Sequence, residues 1–227
     1  MTAKICVSIR PKTIAEALTL IEKVENQEAD LIEVRLDNLE NHNMRLRDIS
    51  ESSQLPKIAT NRASGSNGRF ICTESERQQL LLNAARNNFQ YIDLELSIPN
   101  LRELIAELQS VAAKPIVSFH DYKETPSMLS LAKILGREMA TGAEICKIVT
   151  TAVSVQDNIT ILTFLKESCR QTNLVCFSMG ALGKPSRILS PIFGAPFTMA
   201  SLEKEMETAP GQITIQEMKV LYKALEA

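Results

Sequence analysis

The chain is sparing in the residues that most often announce a function. Only two histidines, His42 and His120, occur in 227 residues, and the five cysteines (Cys6, Cys72, Cys146, Cys169 and Cys176) contain no C-x-x-C pair. An odd cysteine set without paired spacing argues against a disulfide framework and a zinc site, so no metal is expected. Cys6, Cys146 and Cys176 lie inside apolar runs, where a free thiol packs as a small hydrophobe. No apolar run approaches the roughly 20 residues that span a bilayer. A net charge of −2 offers no general attraction to nucleic acid or to a membrane surface. The opening Met-Thr-Ala-Lys-Ile-Cys-Val-Ser-Ile enters a strand-like run without a signal peptide's apolar core, so a cytoplasmic protein is expected. Repeats, low-complexity segments and linkers are missing too, and residues 1–227 read as a single domain. Its 44% hydrophobic and 23% charged residues suit a sizeable core.

What is present is alternation. Short β-like runs occur at Lys4–Ile9, Leu31–Leu36, Lys57–Asn61, Tyr91–Leu94, Pro115–Phe119, Glu144–Val149, Leu174–Ser178 and Pro196–Ala200. Amphipathic stretches fall between them, including Thr13–Val24, Glu74–Asn87, Asn100–Gln109, Ser127–Thr141 and Ser154–Thr172, and Ile215–Leu225 forms a last helix. Thr73 or Ser75 and Ser154 are candidate N-caps, and Gly142 stands where a C-cap glycine would. Eight strands alternating with about eight helical segments predict an α/β fold, a (β/α)₈ or TIM barrel. A doubly wound open sheet would carry a glycine-rich phosphate loop after an early strand, and Ile9-Arg10-Pro11-Lys12 is not one. Gly65–Gly68 precedes no immediate helix and reads as a mobile loop.

In such a barrel active-site residues sit at the C-terminal strand ends, which is where this chain places its unusual polar groups. Glu33, Arg35 and Asp37 share one face of the second strand by period-two alternation. The third strand ends at Asn61-Arg62, the fourth carries Asp93 and Glu95, the fifth ends at His120-Asp121, and the sixth carries Lys147. Lys147 stands alone in Ile145-Cys146-Lys147-Ile148-Val149. Burial disfavours an ammonium and predicts a lowered pKa, which would make the amine a nucleophile able to form a Schiff base with a ketone. It could instead snorkel to water or pair with a carboxylate. His120 lies one strand from Lys147, within roughly 5 Å per strand spacing, and an imidazole there is a natural proton shuttle. His42, in Asn41-His42-Asn43, reads as a surface loop residue.

Five motifs then occur in order: Glu33-Val34-Arg35-Leu36-Asp37, Ser118-Phe119-His120-Asp121-Tyr122, the Lys147 strand, Gly183-Lys184-Pro185-Ser186-Arg187 and Ala209-Pro210-Gly211-Gln212. Together they resemble the type I 3-dehydroquinate dehydratases, the Schiff-base hydro-lyases of the shikimate pathway, over nearly the whole chain. The resemblance implies a (β/α)₈ barrel, usually a homodimer, that acts on 3-dehydroquinate without metal or organic cofactor. It also implies an imine on Lys147, with His120 as general base and acid. Ser8, Glu33, Arg35 and Arg62 match substrate-contacting positions, and Arg187 matches the arginine that pairs with the substrate carboxylate. Thr208 and Gln212 match a hydroxyl residue and a glutamine on a loop that closes over the ligand. One departure stands out: many bacterial members carry a glutamate where this chain has Ser66. Asp93, Glu95 or Asp121 could take over part of its support of the histidine.

Two other readings compete. A class I aldolase-like lyase would use Lys147 but would favour a phosphate cradle near the last strands, for which Gly180-Ala181-Leu182-Gly183 is a weak candidate. A ligand-binding barrel without turnover would have no need of a nucleophilic lysine.

Overall fold

A computed structural model describes residues 3–40, 45–63, 68 and 73–226. The expectations for His42, Ser66 and Cys72 fall outside these residues, as does the Gly65–Gly68 loop apart from Gly68. The strands are β1 (Ile5–Ile9), β2 (Leu31–Arg35), β3 (Lys57–Thr60), β4 (Tyr91–Glu95), β5 (Lys114–His120), β6 (Ile145–Thr151), β7 (Leu174–Met179) and β8 (Thr198–Ser201). The helices are α1 (Ile14–Asn26), α2 (Leu46–Ser50), α3 (Glu74–Arg86), α4 (Leu101–Ser110), α5 (Met128–Met139), α6 (Gln156–Ser168), α7 (Lys184–Leu189) and α8 (Ile215–Leu225). All strand pairs are parallel, in the order β7-β6-β5-β4-β3-β2-β1-β8. The expected eight-stranded α/β barrel is therefore present, nearly closed, with β7 and β8 flanking the seam.

Helix α7 packs across that seam. The Ser178 N–H of β7 donates to Ser186 Oγ at 3.0 Å, and Thr198 Oγ1 of β8 donates to the Arg187 carbonyl at 2.7 Å. A sheet edge thus finds partners in a helix instead of another strand, as buried backbone donors require.

Both faces of the strands are buried, which is why they read as apolar runs. Outward residues such as Val7, Ile32, Ala59, Ile92 and Val117 join the packed faces of α1, α3 and α4, while Cys146, Ile148 and Cys176 pack with residues of α5 and α6. The interior has two levels. Cys6, Leu31, Ile58, Ile116, Ile145, Val175 and Phe197 form an apolar layer, and the next inward residue of the same strands is often polar: Ser8, Glu33, Thr60, Ser118 and Lys147. The cradle for chemistry therefore rests on a closed hydrophobic floor.

Local signals were partly as expected. Thr73 caps α3 in a reciprocal box with Glu76. Ser154 does not cap α6: the Asp157 carboxylate accepts the N–H groups of Val153 and Ser154 at 2.7 and 2.8 Å instead. Gly142 (φ +83°) lies two residues beyond the Ala140 cap of α5. Among the described residues no helix is long and apolar enough to cross a membrane.

Candidate active site

Eight of the nine residues that the resemblance matches to site positions line one cavity at the C-terminal end of the barrel: Glu33, Arg35, Arg62, His120, Lys147, Arg187, Thr208 and Gln212. The ninth, Ser8, lies beside it, donating to Glu33 through a short hydrogen bond and accepting one from Thr208 Oγ1 at 2.8 Å. Tyr122, Phe177, Met179 and Met199 complete much of the wall.

Lys147 is buried, as expected, but its charge state is not the one that burial alone predicts. Its ammonium donates to Asp93 Oδ2 at 2.9 Å and lies 3.6 Å from Glu33 Oε1. Desolvation pulls the pKa down, yet Asp93 and Glu33 together outweigh it and hold it above the ordinary lysine value. The expectation of a lowered pKa is therefore corrected: Lys147 is a paired ammonium here and must lose a proton before it can attack a carbonyl.

Asp93, one of three acids the sequence offered as support for His120, is instead the hub that holds Lys147 and Arg62. It accepts from Arg62 Nη2 at 2.8 Å and from Ser118 Oγ at 2.7 Å. Burial would raise its pKa, but Arg62 and Lys147 drive it far below the usual carboxylate range. Arg62 in turn donates to Ser118 Oγ at 2.9 Å and lies 3.7 Å from Glu95, which pairs with Arg77 of α3 at 3.1 Å. Arg77 Nη1 donates to the Asn61 carbonyl at 2.7 Å, tying α3 to the loop that carries Arg62. Arg35 forms a two-pronged pair with Asp37 at 2.7 and 2.8 Å. Asp37 does not reach it by strand alternation as expected; β2 stops at Arg35 and a 3-10 turn over Leu36–Asn38 folds the aspartate back.

Arg187 differs from these arginines. It is 1% exposed, and no carboxylate among the described residues lies within ion-pair distance. Its guanidinium has the Phe177 ring beneath it at 4.3 Å and weak bonds at 3.4 Å to the carbonyls of Met199 and Pro210, and among the described residues its Nε has no hydrogen-bond partner. Burial lowers its pKa to about 9. A buried planar cation lacking an anion presents the geometry that a ligand carboxylate satisfies.

The loop between β8 and α8 roofs the cavity. Thr208 N–H donates to Gln212 Oε1 at 2.7 Å, Arg10 Nη2 donates to the Thr208 carbonyl at 2.9 Å, and Gly180 N–H donates to the Pro210 carbonyl at 3.1 Å. That last bond, with Gly183 N–H donating to the Gly180 carbonyl at 3.1 Å, occupies both glycine amides of Gly180–Gly183. The stretch is a turn beneath the β8–α8 loop, which weakens the case for a phosphate cradle.

His120 ends β5, one strand from Lys147. Burial, then the positive charges of Arg62 and Lys147, push its pKa well below the ordinary imidazole value, so it is neutral near pH 7. None of the three acids considered as its support bonds to it. Asp93 and Glu95 serve the arginines and Lys147, and Asp121 Oδ1 accepts from the N–H groups of Lys123 and Glu124 in its own turn.

Fold and site together define a barrel that gathers a buried lysine, a neutral imidazole and an anion-seeking arginine beneath a loop. Comparison with known proteins makes this specific. The family model for type I 3-dehydroquinase matches residues 5–227. A 3-dehydroquinate dehydratase of Methanothermobacter thermautotrophicus is 35% identical over 216 residues, covering 95% of this chain and 94% of that one. One from Dehalococcoides mccartyi is 36% identical, covering 88% of each. Among solved structures, the 3-dehydroquinate dehydratase of Aquifex aeolicus superposes with a TM-score of 0.82 at 27% identity, covering 97% of this chain and 98% of that one. The type I enzyme of Clostridium difficile reaches 0.91 at 24% identity, covering 99% and 92%. The chain belongs to the type I 3-dehydroquinase family.

Proposed function

We propose that this protein is a 3-dehydroquinate dehydratase that works through an imine on Lys147. The observation that carries the reading is the sharing of one cavity by a paired lysine, a neutral histidine and the carboxylate-free Arg187. Arg187 takes the substrate carboxylate, and its fork geometry fixes the ring above Lys147. Lys147 passes a proton to His120, the neutral base in the cavity, and the freed amine attacks the C3 ketone. His120 hands that proton to the carbinolamine hydroxyl, which leaves as water, and the resulting iminium withdraws electrons and acidifies the adjacent C2–H. His120, returned to its neutral form, removes that proton; the electron pair forms the C1–C2 double bond as the C1 hydroxyl departs with a proton from His120. Water then hydrolyses the imine and releases 3-dehydroshikimate. Thr208, Gln212 and Ser8 are suited to the ring hydroxyls, while Glu33, Arg35 and Arg62 set the field around the lysine. No step calls on a metal or an organic cofactor. A homodimer belongs to the same reading, and exposed Val220 and Leu225 on α8 offer apolar surface for such an interface.

The test is borohydride reduction during turnover of 3-dehydroquinate, followed by intact mass and peptide mapping. The expected result is product formation with a single adduct on Lys147. An adduct elsewhere, or turnover with none, would overturn the reading.

A further inference from the structure

The run from Ser118 to Tyr122 leaves one aromatic ring that no step above uses. Past the end of β5 the ladder continues, with Asp121 N–H donating to the Val149 carbonyl at 2.9 Å. Period-two alternation turns Ser118 and His120 inward, and Tyr122, in the bend beyond β5, lines the same cavity as His120. The rings of His120 and Tyr122 are stacked, with centroids 5.8 Å apart and planes 16° from parallel. Tyr122 is 42% exposed, yet its backbone is clamped from both sides. The Asp121 carboxylate closes the following turn through Lys123 and Glu124 N–H at 2.8 and 3.0 Å, and Thr151 Oγ1 of β6 donates to the Asp121 carbonyl at 2.8 Å. Among the described residues no hydrogen bond holds the His120 imidazole. The χ2 torsion of a histidine is broad and sets no ring plane by itself, and the stacked Tyr122 face is a contact that restricts the ring's rotation.

We propose that Tyr122 is a positioning residue for His120: its ring, held by the Asp121 turn, fixes the imidazole plane so that one ring nitrogen faces the reacting carbon beside Lys147. The kinetic consequence rests on the dehydratase reading; the structural one does not. A base that loses its alignment loses rate more than affinity, and misplacement by an ångström can cost about a hundredfold.

With two histidines in the chain, ring ¹⁵N–¹H spectra are simple, and His42→Gln assigns His120. In Tyr122→Ala the His120 ring signals should broaden or average, and its titration midpoint should rise because one face gains water. In the same variant kcat should fall about ten- to a hundredfold with KM changed less than about threefold. The acid limb of the rate profile should move to higher pH with the spectroscopic midpoint. The Lys147 adduct should still be trapped. Tyr122→Phe, which keeps the ring, should restore both rate and spectrum; Tyr122→Leu, which keeps apolar cover without a parallel ring, should behave like alanine and guards against a folding defect in that variant. Unchanged His120 spectra and kcat in the alanine and leucine variants would overturn the proposal. So would a phenylalanine variant as impaired as alanine, since the hydroxyl and not the ring would then act. Absence of dehydratase turnover in the wild type would sink the functional reading alone, leaving the spectra to decide on the stack.

Discussion

At position 147 burial and pairing pull in opposite directions, and magnitudes decide between them. Desolvating an ion costs several kcal/mol after relaxation. A unit charge about 4 Å away contributes about 4 kcal/mol at an effective dielectric of 20, and Lys147 has two such neighbours, Asp93 at 2.9 Å and Glu33 at 3.6 Å. The charged form wins. A sequence-level argument from an apolar strand sees the first effect only, because the carboxylates arrive from β4 and β2, 54 and 114 positions away. Asp93→Asn isolates the second effect. Removing that charge should let the Lys147 pKa fall, so imine trapping on a ketone should begin at lower pH than in the wild type. The same change leaves Arg62 and Lys147 short of a buried partner and should destabilise the fold by about 3 kcal/mol. The depressed Asp93 pKa makes its contribution fully present above the unfolded value near 4 and lost as pH falls through the folded one. The stability difference between wild type and variant should accordingly narrow below about pH 4. A trapping profile that stays put or moves to higher pH would show that Asp93 does not govern the lysine.

Among the elements, those with both faces buried or with a long amphipathic period were legible, and those set by tertiary contact were not. All eight strands and the helices α1, α3, α4, α5, α6 and α8 were visible, with ends displaced by a few residues. Helix α2 has five residues and α7 six, too short for a 3.6-residue period to show. Yet α7 packs across the seam between β7 and β8 and delivers Arg187, so a motif revealed the residue while the element carrying it stayed hidden. The residues of the site could be named for the same reason: charged groups at strand ends break an apolar pattern. Their pairings could not, because alternation gives a face and not a partner. Tyr122 gave no such break. Glu138 on α5 shows the limit from the other side. Its carboxyl is fully buried, and among the described residues no donor meets either oxygen in full hydrogen-bond geometry. Burial, reinforced by the charge of Asp93, raises its pKa well above the ordinary value, and the backbone of Lys147 and Phe119 only partly offsets this. A raised acid favours folding below its unfolded pKa and loses that advantage as pH climbs toward the folded one. Glu138→Gln should therefore gain stability over the wild type as pH rises above about 4.3, at up to about 1.4 kcal/mol per pH unit, until the folded group ionises. Denaturant titrations at pH 5 and pH 8 read this directly; an equal difference at both would mean that Glu138 is ionised already or titrates alike in both states.

For the molecule as a whole, the loop from β8 to α8 lines the cavity through Thr208, Ala209 and Gln212, and two glycines meet where it docks. Gly211 (φ +76°) lies against Gly180 (φ +85°), and a Cβ on Gly211 would sit 2.2 Å from the Gly180 carbonyl oxygen. Backbone on both sides of that contact cannot yield as a side-chain tip can. A left-handed conformation adds about 1–2 kcal/mol for any residue with a Cβ. The rest of the loop is held by groups that also face the cavity: Thr208 reaches Ser8, and Gln212 Oε1 receives the Thr208 N–H. Gly211→Ala should therefore lift the loop as a unit while the barrel beneath, whose core shares no atom with the contact, keeps its stability. Hydrogen exchange across residues 203–213 should become faster than in the wild type, and product should slow it less. Thr208 and Gln212 would then meet the substrate only after paying for reclosure, so KM should rise about tenfold, equivalent to about 1.4 kcal/mol, with a smaller fall in kcat. Unaltered exchange together with an unaltered KM would show that the Gly211–Gly180 contact does not hold the lid, and that closure depends on the polar bonds of Thr208 and Gln212 alone.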